Sequence, residues 1–238
     1  MYSKETLAKT FRAMRDALDY YNSIPVHELH VSISVNNDKT NEPSVSTLPG
    51  ITCGNCKECL PYCYAVRMIY KYGYIFENNS QLKAWAKNTS IMQRDLDYFF
   101  AEVDAWLTEN ELVYDAFRFH VSGEIVSDDY FAHMVQIAKN HPSMFFWTYT
   151  KMFTIVNDFC DKNGGKENAI PENFVIMFSA WTGLNMENPY HFPEFIFVPR
   201  AEKEEFADVG FHCPGKCRIC KRLKRGCFAG ETTYSDEH

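Results

Sequence analysis

The chain opens on an amphipathic pattern. Leu7, Phe11, Met14 and Leu18 recur at i, i+4, i+7 and i+11, one face of a 3.6-residue period, which predicts a helix. Ser3 is placed to cap it, and Pro25 closes the segment. The period then drops to two. Leu29, Val31, Ile33 and Val35 alternate with His30, Ser32 and Ser34, which predicts a strand. Residues 36–52 are polar, carry Pro43, Pro49 and Gly50, and read as a long loop. Helices are predicted in YAVRMIYKYGY up to Gly73, then over 80–87 and 90–108. In the last of these Leu96, Phe99, Phe100, Val103 and Leu107 form the apolar face.

From Tyr114 the pattern changes again. Phe117, Phe119 and Val121 alternate, and Gly123 ends a second strand. Ser127, Asp128 and Asp129 mark a helix N-terminus, with the acids favoured by the macrodipole. That helix runs to Asn140, and Pro142 stops it. A third strand follows in SMFFWTYT, then a helix over Met152–Asp161 broken by Gly164 and Gly165. Further strands are predicted in NFVIMFSAW and PEFIFVPR, with a short helix over 201–207. Strands separated by helical crossovers imply a parallel sheet with helices packed on it. The expected fold is therefore α/β, a partial or open (β/α) barrel with parallel strands. To it are added an N-terminal helix (1–25) and a cysteine-rich C-terminal knuckle (210–238). The core would span 26–209 and carry a cysteine loop at 53–63. In such folds the loops at the C-terminal ends of the strands carry the site.

Composition narrows the function classes. Among 238 residues 46% are hydrophobic and 16% aromatic, so the chain can build a large core and is not a disordered segment. No apolar run approaches the ~18 residues of a membrane span, so no membrane partner is expected. The start, MYSKETLAKTF, lacks the apolar stretch of a secretory signal, and the expected location is cytoplasmic. A net charge of −7 argues against a surface that is nucleic-acid footprint throughout. No P-loop, no G-x-S-x-G elbow and no H-E-x-x-H helix is present, which argues against those hydrolytic chemistries.

Cysteine changes the picture most. Cys53, Cys56, Cys59 and Cys63 form one group, and Cys213, Cys217, Cys220 and Cys227 a second. Cys160, in IVNDFCDK, stands apart and reads as a small core hydrophobe. In a reducing compartment clustered thiols point to metal ligands rather than disulfides. The first group, CGNCKECLPYC, is C-x2-C-x2-C-x3-C, the internal spacing of a bacterial ferredoxin loop, where short steps let several thiolates converge on one 4Fe–4S cluster. Tyr64 stands where a ferredoxin has proline after the fourth cysteine. Zinc can use the same thiolates tetrahedrally, so the metal stays open at this point.

The second group is C-x3-C-x2-C-x6-C. Its first three cysteines have the spacing of a radical S-adenosylmethionine enzyme, but only 18 residues follow Cys220, too few for a barrel downstream. It reads as an auxiliary cluster or a zinc knuckle. Lys216, Arg218, Lys221, Arg222, Lys224 and Arg225 surround it. They either compensate anionic thiolates or form a patch for nucleic acid or an acidic partner.

Other side chains mark a pocket. Arg118, His120, Ser122 and Glu124 alternate along and beyond the second strand, either as the polar inner face of a binding pocket or as a solvated edge. Thr150 and Lys151 end the third strand, and Ser179 and Trp181 the fourth, where site residues gather. His212, beside Cys213, is a spare ligand candidate.

Three segments together carry a family resemblance: TCGNCKECLPYCYA, FRFHVSGEIVSDDYF and FFWTYTK. With its CYA ending, its R-x-x-x-S-G-E step and its YTK step, the chain resembles the phage gene product 88 family over residues 27–230. More distantly it resembles radical S-adenosylmethionine enzymes, in which a G-G-E step binds the amino group of the cofactor's methionine part. The resemblance implies that Glu124 is the matching carboxylate and that Gly123 permits close backbone approach. Glu124 has a second reading as a helix N-terminal carboxylate. Arg118 matches the family pattern. The catalytic candidates are Glu124, Arg118 and Lys151, and the cofactor-binding candidates are Gly123, Ser122 and Ser179.

The sequence departs from the radical pattern at one place: after Cys59 and Cys63 the third cysteine would fall at Val66. Four cysteines on one cluster leave no open iron for the cofactor, whereas three would leave one. Two expectations follow. One is an iron–sulfur protein of phage type holding one or two 4Fe–4S clusters, with radical S-adenosylmethionine-like redox chemistry on an unassigned small-molecule or macromolecular substrate. The other is a non-catalytic zinc- or cluster-stapled protein that binds nucleic acid or a protein partner. Whether the chain is an enzyme is left open.

Overall fold

A computed structural model of the protein describes residues 2–35, 42–54, 56, 59–181, 186–214 and 232–236. The chain divides into two compact units, Met1–Ser34 with Ser44–Asn110 and His120–Val126, and Val35–Pro43 with Glu111–Phe119 and Ser127–His238.

The first unit is mainly helical. Its helices are α1 (Lys4–Asn22), α2 (Tyr64–Lys71), α3 (Ser80–Arg94) and α4 (Leu96–Asn110). The hydroxyl of Ser3 accepts the N–H of Thr6 at 3.0 Å, so α1 begins where its cap was expected. Met14, Ala17, Leu48, Ala65, Ile69, Leu82, Trp85 and Ala86 form the core between α1, α2 and α3. The expected strand over residues 29–35 shrinks to β1 (Ile33–Ser34). Residues Val26–Glu28 form a 3-10 turn instead, and the N–H of Leu29 is used to close it. The expected loop over 36–52 contains a strand, β2 (Ser44–Val45), which pairs antiparallel with β1 through Ile33 and Val45.

The break between the predicted helices at 88–89 is also displaced. Helix α3 runs through Asn88, Thr89 and Ser90 and stops at Asp95, whose carboxylate accepts the N–H of Tyr98 at 2.9 Å and starts α4. Those polar residues do not break the helix because each is bonded. The side-chain carbonyl of Asn88 accepts the N–H of Ser32 (2.8 Å), and its amide donates to the carbonyls of Ser32 and Ser46 (both 2.9 Å). The Thr89 hydroxyl accepts the N–H of Leu48 at 2.9 Å, and Ser90 bonds Asn22.

The second unit is a parallel α/β arrangement. It runs β3 (Ala116–Phe119), α5 (Asp128–Asn140), β4 (Phe145–Thr150), α6 (Phe153–Lys162), the single turn α7 (Lys166–Ala169), β5 (Phe174–Trp181), β6 (Glu194–Val198), β7 (Phe211–His212) and β8 (Thr232–Asp236). The spatial order is β3-β4-β5-β6-β8-β7, and each neighbouring pair is parallel. Ser127 caps α5 as its sequence promised, its hydroxyl accepting the N–H of Tyr130 at 3.1 Å.

Helices cover one face of this sheet. Phe131 of α5 meets Phe174 and Phe159, and Phe153 of α6 meets Phe178. Phe117, Phe119, Phe146 and Phe178 are buried on that side. Asn173 ties the α5 end to β5 by donating to the carbonyls of Ala138, His141 and Met144. Cys160 is buried in α6, as its small-hydrophobe reading requires. The short helix expected over 201–207 is reduced to a 3-10 turn at Arg200–Glu202 followed by further turns.

The coarse expectation therefore holds: a mixed α/β protein with, among the described residues, eight strands, mostly parallel, and helices, preceded by an N-terminal helix. Closure into a barrel is not seen in the strand pairing of the described residues. Cys217, Cys220 and Cys227 of the expected knuckle, and the basic residues around them, lie outside the described residues.

Candidate functional site

The first cysteine group lies in the first unit, on a loop with defined turns. Gly50 adopts φ 71° and donates its N–H to the Cys53 sulfur at 3.3 Å. The N–H of Leu60 bonds the Cys56 carbonyl at 2.8 Å, and the Cys59 thiol donates to the same oxygen at 3.5 Å. A 3-10 turn, Leu60–Tyr62, then delivers Cys63 to the N-cap position of α2. The N-terminus fastens this turn: the N–H of Tyr2 donates to the Pro61 carbonyl at 3.0 Å and its hydroxyl to the Cys63 carbonyl at 3.3 Å. All four cysteines are half-buried and none is in a disulfide.

The S-G-E step packs onto the segment just before this loop. The Ser46 hydroxyl accepts the N–H groups of Val121 (3.1 Å) and Ser122 (3.3 Å), and the N–H of Thr47 donates to the Ser122 carbonyl at 3.0 Å. Thr47 and Thr52 share a hydroxyl–hydroxyl bond of 3.0 Å, and Thr52 also bonds the Leu48 carbonyl at 2.9 Å. Gly123, at φ 92°, lies directly on this pair. The close approach expected at Gly123 was that of the cofactor; among the described residues the group lying on Gly123 is the Thr47–Thr52 pair.

Glu124 is buried and accepts the N–H of Ile125 at 2.9 Å. The first-turn acids of α5 are Asp128 and Asp129, so Glu124 does not have the helix-terminal role that was its second reading. Burial pushes the Cys53 thiol well up from its ordinary range, and the negative charge of Glu124 pushes it further; the Gly50 N–H opposes both. Cys63 and Cys56 add smaller upward contributions, so both sulfurs and the Glu124 carboxylate act electrostatically on Cys53. The Ser122 hydroxyl is buried and has no hydrogen-bond partner among the described residues.

The expected single face of Arg118, His120, Ser122 and Glu124 does not form. Strand β3 ends at Phe119, and His120 takes a left-handed backbone, φ 60°, which breaks the alternation. His120, Ser122 and Glu124 are buried in the first unit. Arg118 stays on β3 in the second unit, its guanidinium 4.8 Å from the ring centre of Trp147 and 5.1 Å from that of Tyr149. Lys151 and Ser179, expected at the ends of neighbouring strands, do meet: the ammonium donates to the hydroxyl at 3.3 Å. Sequence reasoning missed Thr47, Thr52 and Trp147. The period-two spacing of Trp147 and Tyr149 is the signal that could have found the last.

Cys213 follows β7 and donates its N–H to the Tyr234 carbonyl at 2.8 Å. His212 stacks on Tyr234 with ring centres 5.4 Å apart, and its Nε2 lies 2.7 Å from the Phe206 carbonyl, so a structural bond engages the spare ligand candidate.

The family comparison adds one finding. The sequence matches the family described as Gene product 88 over residues 31–194. The chain belongs to the Gene product 88 family. The Gene product 88 match takes in the first cysteine group, the S-G-E step and the YTK step, and ends before the second cysteine group. No curated protein and no solved structure matches the chain.

The donor chemistry of the cysteine loop suits a thiolate-bound group. Four sulfurs lie on one short loop, and one already accepts a backbone N–H, the kind of bond that tunes cluster thiolates. As the side chains stand, no three His, Cys, Asp or Glu among the described residues converge at metal-binding distance. No described helix is long and apolar enough to cross a membrane.

Proposed function

We propose that this Gene product 88 protein is an iron–sulfur protein whose cluster is held by Cys53, Cys56, Cys59 and Cys63 beside Glu124. The observation that carries the reading is the packing of the S-G-E step, through Gly123, on Thr47 and Thr52 next to Cys53. Two motifs far apart in sequence pack together there, and the buried Glu124 and the buried Ser122 hydroxyl, which has no partner among the described residues, support the reading. When bound, the cluster supplies one-electron chemistry. The chain's own part is then positional. Gly50 donates to Cys53, the α2 N-terminus favours negative charge at Cys63, and Glu124 with Ser122 offers an acceptor pair for an ammonium group. The radical S-adenosylmethionine version is the finer reading. It needs one of the four cysteines to stay off the cluster, so that an iron is open and the cofactor's amino group can reach Glu124. Cys213, Cys217, Cys220 and Cys227 would hold a second cluster or zinc.

Anaerobic purification with iron, sulfide and zinc assays and an absorption spectrum tests this. About four irons and four sulfides at the first group, lost in Cys56→Ala, are expected. Glu124→Gln is expected to keep the iron and lose S-adenosylmethionine binding if the radical version is right. Zinc in both groups and no sulfide would replace the proposal with the metal-stapled binding protein, whose partner would meet the basic residues near Cys220.

A further inference from the structure

We propose that the second unit carries a separate site, on the sheet face opposite α5 and α6, that binds a nucleoside phosphate. The phosphate would lie on Arg118 and Lys151, and the base against the half-buried aromatic rings of the same face.

The sheet register defines this face. Arg118 pairs with Trp147, Tyr149 with Met177, Ser179 with Phe195, and Trp181 with Phe197. Residues directly opposite in a parallel pair share a face, so these side chains lie together on one side. The phenylalanines that meet α5 and α6 lie on the other side, as does Glu194, which pairs with Phe178. On this face Ala116, Phe145, Trp147 and Met177 form a buried hydrophobic cluster with Tyr149 and Val175 packed against it, and Arg118 and Lys151 bring cations to it.

Two donors on it lack acceptors. Trp147 is 3% exposed, and its indole N–H is buried with no hydrogen-bond partner among the described residues. The Nε–H of Arg118 is buried and unpartnered in the same way. Both groups can only donate, so whatever satisfies them must bring an acceptor. No carboxylate among the described residues forms an ion pair with Arg118. The Trp147 and Tyr149 rings hold its guanidinium in place, so the fork is set before any anion arrives. Lys151 bonds Ser179 and adds a second cation at the C-terminal ends of β4 and β5, where ligands of parallel sheets gather.

The aromatic half gives the ligand its second feature. Tyr149 and Phe195 lie 4.9 Å apart at 63°, and Trp181 and Phe197 4.5 Å apart at 59°. None of these rings is fully buried, unlike Phe117, Phe119, Phe146 and Phe178 on the helix side of the sheet. Partly open rings beside fixed cations are the combination that stacks a base and holds its phosphate. A bare inorganic anion would leave the rings unused, and an uncharged ring compound would leave the donors unsatisfied.

The test is a titration of the full chain, metal content matched between variants, followed by calorimetry and tryptophan fluorescence. The probes are AMP, adenosine, inorganic phosphate and a short thymidine oligonucleotide. AMP is expected to bind at least about tenfold more tightly than adenosine or phosphate alone. Arg118→Gln and Lys151→Gln are each expected to weaken it about tenfold, and Trp147→Phe, which keeps the ring and removes the N–H, by several-fold. Tighter binding of the oligonucleotide than of AMP, with the same variant losses, would assign the phosphate to a strand. The reverse order would assign it to a free nucleotide. Absence of binding by both, or binding unchanged in a folded Lys151→Gln variant and in Trp147→Phe, would overturn the proposal. Neither outcome depends on the iron content, so the site and the cluster stand or fall separately.

Discussion

Gly123 is seated on Thr47: a Cβ built on the glycine would stand 1.9 Å from the threonine hydroxyl oxygen and 3.1 Å from that of Thr52. The glycine also has φ 92°, a conformation that side-chain-bearing residues rarely adopt. Gly123→Ala is therefore expected to cost about 2–4 kcal/mol, from strain and overlap together. Urea denaturation checks this. Adding Thr47→Ala removes the overlap but not the strain, so the double variant is expected to recover only part of the loss. An alanine variant as stable as the parent would remove the packing argument for the S-G-E step.

Asn88 is a second fixed point of the same unit. It is 0% exposed and spends its amide on Ser32 and Ser46, holding the segments of β1 and β2 against α3. Asn88→Ala leaves one N–H and two carbonyls without their partner, an expected loss of about 3 kcal/mol or more. Asn88→Asp keeps the shape but turns a donor toward the Ser32 and Ser46 carbonyls into an acceptor. It is expected to be at least as damaging by thermal denaturation.

These buried polar residues explain where sequence reading failed. Asn88, Thr89 and Ser90 look like a helix interruption because they are poor helix formers whose side chains compete for backbone bonds. In the fold they serve other segments, and the helix continues. Strands β3 to β6 were legible because Phe, Tyr, Trp, Val and Ile runs are bounded by clear turn residues. Strand β2 was not, since two residues, Ser44 and Val45, carry no readable period. Strand β8, with the sequence TTYSD, is short and mostly polar, and its place between β6 and β7 is a matter of tertiary pairing alone.

Asp95 marks the true boundary between α3 and α4, and its cap is measurable. Asp95→Ala removes the acceptor for the Tyr98 N–H and is expected to cost about 1 kcal/mol, whereas Asp95→Asn keeps the acceptor and most of the stability. Equal losses in the two variants would shift the explanation to charge, since the Asp95 carboxylate also lies 3.9 Å from His27.

The residues of the candidate site stood out in the sequence; their grouping did not. The cysteine spacing marked the loop that follows Thr47 and Thr52, and the S-G-E step marked the buried carboxylate Glu124. Alternation predicted that Arg118 would join Glu124 on one face. The left-handed backbone at His120 breaks that alternation, and no sequence pattern signals a positive φ at a histidine. Lys151 and Ser179 did come together, because both sit at strand ends whose register the parallel sheet fixes.

Cys160 offers a pH-dependent check on the second unit that does not involve either cysteine group. Burial in α6 raises its thiol from the model-compound value of 9.0 to about 11, with Lys166 opposing and Asp161 adding a little. A thiol raised in the fold stays neutral there while the unfolded chain ionises. Above pH 9 the unfolded state has released a proton the folded state retains, so stability falls as pH rises and the loss is complete near pH 11. The size is about 1–3 kcal/mol, a shift of this magnitude discounted for solvent screening. Cys160→Ala lacks this titration. Its stability relative to the parent is expected to be lowest below pH 9, where only the lost packing counts, and to gain on the parent between pH 9 and 11. Urea denaturation of both proteins across that range reads the difference directly, and parallel curves would mean that the buried thiol ionises as freely in the fold as in the unfolded chain.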